Sequence, residues 1–433
     1  MYTCYHNFHT AVLEYVIRKM AACFLCVQIF FWLPASADEL PRIPANPPGR
    51  NFRTLAIFFK PANDTFEAGA FTRSGWPHEL PEPVWKDKFI IPTPYDSIDA
   101  QKCLAEYPES ITAFYHRMSG GRLWLYGDVL TYQGPPLYRN VGASRSEQRK
   151  TWRENNSKVM NWLVHHYDLS KIDNDGDGLA ECIIFINRAR PKFGFQGIAE
   201  LPLTKVQDPS GRWIQLRGIY QTDCYTLFAT RHIVSHEIGH CLGIVSHLNG
   251  LCRWNLMSGS GQNGPSLSGV TMSAYEKNLL GWLEFIDVDS TAYGVTLGNL
   301  TETNQAVRIR LKNTTDYFVI ENRQYSWPFE PSPDSVDSLH ATLPGVGLVL
   351  YYVDEHGPNI LPADGEIRSV KKAGKNTPYY DGDQTDVLNA NQLDDFELYR
   401  NSLDKRKPRE QVGIRLRNIK NRNGTMTFDL VYL

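Results

Sequence analysis

Residues 233–243 read Ile-Val-Ser-His-Glu-Ile-Gly-His-Cys-Leu-Gly, and this stretch carries the most informative pattern in the chain. His236 and His240 are four residues apart, so on a helix both imidazoles lie on one face. Two imidazoles one turn apart can bind one Zn²⁺, and Glu237 then lies beside the metal, where a general base for its bound water is needed. The alternative is a core helix with two incidental histidines.

Gly243 indicates where this helix ends, because glycine can adopt the left-handed turn that ends a helix. The chain can then turn back and bring a third ligand to the metal, as catalytic zinc requires. The candidates within reach are Ser246, His247 and Asn249. A serine hydroxyl stays protonated and is a poor zinc ligand, whereas a neutral imidazole is a good one. We therefore predict His247 as the third ligand.

Three segments follow the helix in order: WNLMSG at 254–259, AYEK at 274–277 and LGWL at 280–283. Together with HEIGHCLG they resemble the M6 family of secreted metallopeptidases, the immune inhibitor A family. Similar segments also lie at 111–129, 317–324 and 343–355. The resemblance covers roughly residues 50 to 360 and consists of order and spacing as well as one motif.

The resemblance implies an α+β fold: a zincin or metzincin-like catalytic domain with an active-site helix and a mixed sheet, then a C-terminal all-β, sandwich-like domain. It also implies His236 and His240 as zinc ligands, Glu237 as the catalytic base and Met257 as the Met-turn below the metal. Two positions depart from the family. The position of its third ligand is Ser246, with His247 one residue later, and Asn255 replaces a common Asp.

The chain divides into four predicted regions. A charged flank, an apolar run at 21–34 and Ala35-Ser36-Ala37 predict a signal peptide over 1–37. The alternatives are an uncleaved anchor or a start at Met20. A Pro-rich tether covers 38–50, and the catalytic domain covers 51–283. Short strand candidates with turn residues between them predict a β domain over 284–433.

A second acidic cluster lies at 173–181. Carboxylates at positions 1, 3, 5 and 9, with glycine at position 6, resemble the first part of a calcium loop, although the EF-hand glutamate is missing at position 12. We predict that Ca²⁺ binds Asp173, Asp175, Asp177 and Glu181. The alternative is a solvated acidic turn held by hydrogen bonds to its own backbone.

Composition excludes several classes of protein. Of 433 residues, 42% are hydrophobic, which rules out a wholly disordered chain, and the net charge of -2 gives no basic excess for nucleic-acid binding. A secreted chain meets an oxidising compartment, so we expect disulfides, with the connectivity open. Five cysteines follow the signal peptide: Cys103, Cys182, Cys224, Cys241 and Cys252. Five glycosylation sequons begin at Asn63, Asn155, Asn299, Asn313 and Asn423.

We therefore predict a secreted zinc endopeptidase that acts on protein or peptide substrates, with no membrane span after signal removal. Zn²⁺ is the predicted cofactor and Ca²⁺ a second one. One alternative is a catalytically degenerate peptidase fold used for binding, with structural zinc. Another is a carbohydrate- or matrix-binding protein whose β domain carries the function.

Overall fold

Six strands are described in the first half of the chain, and four of them build the sheet that supports the candidate site. In the computed structural model they are β1 (Asn51–Pro61), β2 (Trp124–Gly134), β3 (Ile183–Asn187), β4 (Thr204–Gln207), β5 (Trp213–Leu216) and β6 (Gly218–Gln221). β2, β1, β3 and β6 form a sheet in that order, while β4 and β5 form a separate antiparallel pair. The pairings described in the main sheet are all parallel, so a mixed sheet stays a prediction.

The structure describes residues 51–61, 89–134, 145–173, 176–187, 204–208, 210–216, 218–221, 227–244, 247–258, 271–326, 343–364, 369–370, 379–380, 384–389, 395–400 and 410–433. The predicted signal peptide and tether lie outside these residues, as do Asp175, Cys224 and Ser246. The described residues belong to one compact unit. The predicted domain boundary at residue 283 stays a prediction.

Six α-helices lie in the described part of the chain. They are α1 (Ala100–Glu106), α2 (Ile111–Met118), α3 (Arg145–His166), α4 (Leu227–Cys241), α5 (Ala274–Leu279) and α6 (Leu300–Thr303), with short 3-10 helices at Tyr95–Ser97, Leu169–Ile172 and Asn249–Trp254. A capping box opens α5, since Ser273 accepts from the backbone of Glu276 and Glu276 accepts from that of Ser273. No helix in the described part of the chain is long and apolar enough to cross a membrane.

Both faces of the main sheet are covered, which explains the continuous apolar run of β1. Successive side chains of a strand point to opposite faces. Ala56 and Phe58 pack in a cluster with residues of α2 and α4, whereas Ile57 and Phe59 pack with residues of α3 on the other face. The α4 helix is thereby held against the sheet by its apolar sides.

The C-terminal part is built of strands, as predicted, and the α+β class is confirmed. The strands are β7 (Ile286–Asp287), β8 (Ala292–Leu297), β9 (Ala306–Arg310), β10 (Tyr317–Arg323), β11 (Gly347–Asp354), β12 (Gly357–Ile360), β13 (Ser369–Val370), β14 (Tyr379–Tyr380), β15 (Asp395–Arg400), β16 (Glu410–Arg422) and β17 (Thr425–Tyr432). Two sheets, in the orders β12-β11-β10-β9-β7 and β15-β16-β17-β8, share one apolar cluster.

One of the five glycosylation sequons begins at Asn299, between β8 and α6. Its side chain is buried and accepts hydrogen bonds from the backbone N–H groups of Thr301 and Gln324, both at 3.4 Å. A glycan needs an exposed amide nitrogen, so this sequon is not available in the folded chain. Asn313 and Asn423 are exposed.

The face of the β10–β11 sheet opposite the shared apolar cluster packs against the segment that follows α4. Trp254 donates from Nε1 to Oδ2 of Asp386 at 3.0 Å, and the backbone N–H of Tyr275 donates to the hydroxyl of Tyr351 at 3.0 Å. Apolar residues from both parts form one buried cluster there. The segment around the candidate site is therefore fixed from the β region as well as from the main sheet.

Candidate metal centre

The structure brings the three predicted histidines together. His236 and His240 lie one turn apart on α4, with ring centroids 5.0 Å from each other. The chain turns after α4, where Gly243 has a φ of 109° and its N–H donates to the carbonyl of His240. This turn places the His247 ring 5.1 Å from each of the other two rings. One nitrogen from each ring lies within 4.8 Å of the others, so the three can hold one metal ion.

Two backbone carbonyls orient the rings on α4. Nδ1 of His236 lies 2.6 Å from the carbonyl oxygen of Leu256, and Nδ1 of His240 lies 2.6 Å from that of Ile244. A carbonyl only accepts, so Nδ1 carries the proton in both rings and the lone pair is on Nε2. This arrangement is typical of metal-binding histidines, whose other ring nitrogen is fixed by a hydrogen bond.

The protonation state of the rings also suits a metal. Burial, with a smaller effect from the neighbouring imidazoles, lowers the pKa of His236 to about 3. Burial likewise lowers the pKa of His240 to about 4. Both rings are therefore neutral at neutral pH, which is the form that binds Zn²⁺.

Glu237 lies between the two ligand histidines in sequence and is almost fully buried, with 5% of its surface exposed. Its Oε2 atom has no hydrogen-bond partner within the described structure. Burial raises the pKa of this carboxyl group to about 8. An unpartnered buried carboxylate is costly, and a nearby cation or a water bound to one would compensate for it. The site therefore fits a divalent metal.

Met257 lies directly against α4, the helix that carries His236 and His240. A Cβ atom added to Gly239 would lie 2.3 Å from Sδ of Met257, so the absence of a side chain at Gly239 is what allows this contact. The Met257 side chain is fully buried. The assignment of Met257 as a Met-turn below the metal stays a prediction.

The segment that contains Met257 also holds the loop of the third histidine. The N–H of Leu248 donates to the carbonyl of Met257 at 3.0 Å, and Nδ2 of Asn255 donates to the carbonyl of Leu248 at 3.1 Å. Leu248 directly follows His247. Asn255 thus supplies an amide donor that an ionised Asp could not supply.

No protein-family model matches this chain, and no curated protein sequence matches it either.

The predicted calcium residues are brought together only in part. Asp173 is buried, and its Oδ2 atom accepts from the N–H of Gly178 at 3.1 Å, while Oδ1 has no partner within the described structure. Oδ1 of Asp177 accepts from the N–H of Leu179 at 2.7 Å. Asp175 lies outside the described residues. Among the described residues, the histidine trio is the only group of three or more ligand residues close enough for a metal, so calcium at Glu181 and its neighbours stays a prediction.

Arg212 is a partner of this cluster that sequence reasoning missed. It lies beside the start of β5, and its Nη1 atom is 2.9 Å from Oδ2 of Asp173. Its Nε atom lies 3.2 Å from Oδ2 of Asp208. Hydrogen bonds from Ser210, and then from Arg212, lower the pKa of Asp208 to about 2. A guanidinium therefore already offsets part of the negative charge that a Ca²⁺ ion would neutralise.

Proposed function

We propose that this protein is a secreted zinc-dependent endopeptidase with a zincin-like catalytic domain related to the M6 metallopeptidases. The observation that carries the proposal is the histidine trio together with a buried carboxyl group. One ring nitrogen from each of His236, His240 and His247 lies within 4.8 Å of the others, and Glu237 on α4 has one carboxyl oxygen without a partner in the described structure. Three imidazole ligands and an open position are typical of catalytic zinc rather than of closed structural sites.

His236, His240 and His247 would hold the ion through their free ring nitrogens. When bound, Zn²⁺ supplies Lewis-acid polarisation of the scissile carbonyl and a lowered pKa of water. The carbonyls of Leu256 and Ile244 keep two of the rings in the binding orientation. This preorganisation spares the site a rearrangement at the moment of reaction.

Glu237 would move the proton. Without a metal, burial keeps its carboxyl group protonated at neutral pH. Positive charge within a few ångströms favours the ionised form, so Glu237 becomes a base when the site is charged. It can then accept a proton from water and donate it to the departing amine nitrogen.

The test compares Glu237→Gln with the parent chain and with Glu284→Gln, a matched change at an exposed position. All three proteins are incubated with a mixed peptide library, with and without a chelator, and their zinc content is measured. We expect Glu237→Gln to keep one zinc per chain and to lose hydrolysis by about 10²–10⁴-fold, while Glu284→Gln matches the parent. Unchanged hydrolysis in Glu237→Gln would refute the role of Glu237 as the general base. A parent chain that binds zinc without cleaving any peptide would favour the alternative of a binding protein.

A further inference from the structure

Two cysteines from distant parts of the sequence meet at the end of the metal-binding helix. The Sγ atoms of Cys182 and Cys241 lie 3.5 Å apart. Cys182 is buried directly before β3, and Cys241 is the half-buried last residue of α4. We propose that Cys182 and Cys241 form a disulfide that links α4 to the main sheet. This proposal does not rest on the peptidase activity.

The backbones on both sides are fixed, so the sulfurs meet because of the fold itself. The carbonyl of Cys182 accepts from the N–H of Leu55 on β1 at 2.9 Å, which places Cys182 in the sheet layer. Next to Cys241, the N–H of Leu242 still donates to the carbonyl of Ile238 at 2.9 Å, so the helical turn is intact there. A disulfide bond is about 2.05 Å long, so the sulfurs need to approach by about 1.5 Å, a distance that side-chain rotation can supply.

The bond can form by exchange with a small-molecule disulfide such as oxidised glutathione. The thiolate of Cys241, the more exposed of the two, attacks one glutathione sulfur, and the other glutathione leaves as a thiolate. The sulfur of Cys182 then attacks Sγ of Cys241 and releases the second glutathione thiolate. Two protein thiols are oxidised, one external disulfide is reduced, and the two protons pass to the released thiolates.

The consequence is a covalent loop from residue 182 to residue 241 that includes β3 to β6 and all of α4. Closing a loop of this size restricts the unfolded chain and so favours the folded state. It also fixes the helix end that carries His240 to the sheet. Reduction should therefore loosen the part of the fold that presents two of the three histidines.

The test uses the full chain equilibrated in a glutathione redox buffer and trapped with iodoacetamide in denaturant. We expect mass spectrometry of the digest to find a peptide that links Cys182 to Cys241 and that disappears on reduction. The unfolding temperature of the oxidised chain should exceed that of the reduced chain by about 5 °C.

The double variant Cys182→Ala/Cys241→Ala should lose this redox dependence, and the matched variant Cys103→Ala should keep it. Two results would overturn the proposal: alkylation of both Cys182 and Cys241 in the most oxidising buffer, or a bond from either of them to Cys224 or Cys252. If the double variant does not fold, the peptide map of the parent chain still decides between these outcomes.

Discussion

Gly239→Ala is the change that most directly tests the packing beneath α4. A methyl group at this position would lie 2.3 Å from Sδ and 3.0 Å from Cε of Met257, and 3.2 Å from Cε of Met272. Contacts under 3 Å cannot be accommodated without movement. The Met257 side chain is fully buried, so it must change its rotamer or displace its neighbours.

Two opposing effects set the magnitude. In an exposed helix, Gly→Ala stabilises by about 1 kcal/mol because alanine has the higher helix propensity. Inserting a methyl group into a packed core costs about 1–3 kcal/mol. We therefore expect Gly239→Ala to lower the free energy of unfolding by about 1 kcal/mol, because the steric cost of the contact with Met257 exceeds the gain in helix propensity.

A double-mutant cycle with Met257→Ala isolates this contact. Met257→Ala alone should cost about 2–5 kcal/mol through the cavity that it leaves. In that background the methyl group of Gly239→Ala has room, so the same change should become neutral or stabilising, and the coupling energy should be about 2 kcal/mol. Urea unfolding of the four metal-free proteins measures the cycle. Additive effects, or a Gly239→Ala protein more stable than the parent, would refute the packing argument.

The remaining predictions concern metal binding and pH. His247→Ala should lower zinc affinity at least about tenfold because it removes one of three imidazoles, whereas Ser246→Ala should leave the affinity unchanged. Titration against a chromophoric chelator measures both affinities. A larger loss in Ser246→Ala than in His247→Ala would favour Ser246 as the position of the third ligand. Calcium added to chelated protein should raise the unfolding temperature if it binds at Asp173. The rise should be larger in Arg212→Ala, because the guanidinium that competes with calcium for Asp173 is then absent. No response in either protein would favour the solvated acidic turn. The pKa of Asp208 is about 2 in the folded chain and about 3.9 when unfolded, so its stabilising effect is present above pH 4 and lost as pH falls towards 2. The urea midpoints of Asp208→Asn and the parent should therefore differ at pH 7 and converge near pH 2.

The sequence predicted those features that depend on side-chain type and spacing. The β-branched and aromatic residues of 54–60 are typical of a strand, and β1 is that strand. Ser273 and Glu276 are three residues apart, which is enough to predict the capping box. The i, i+4 spacing of His236 and His240 predicted their shared face in the same way. In each case the feature lies within one element, so the local sequence is enough to predict it.

Interactions across the fold could not be predicted in this way. The acceptors for Nδ1 of His236 and His240 are backbone carbonyls of Leu256 and Ile244, and every residue has such a carbonyl. Arg212 reaches Asp173 only because β5 returns beside the acidic turn, since Gln215 pairs with Leu179 there. Nothing in the local sequence of either residue indicates that contact.

The support beneath α4 includes residues beyond the predicted boundary at 283. Arg323 on β10 is fully buried, forms an ion pair with Glu321 at 3.1 Å, and donates to the carbonyl of Met272 at 3.5 Å. Glu321 in turn accepts from the N–H of Ala274 at 2.7 Å, at the start of α5. Met272 is one of the two methionines that face Gly239. A buried ion pair adds little net stability compared with apolar packing, although loss of one partner is costly. What this pair supplies is a fixed position for the chain at 272–274, and through Met272 for the helix that presents His236 and His240. The β region is therefore part of the framework of the candidate site, although it contributes none of the three histidines.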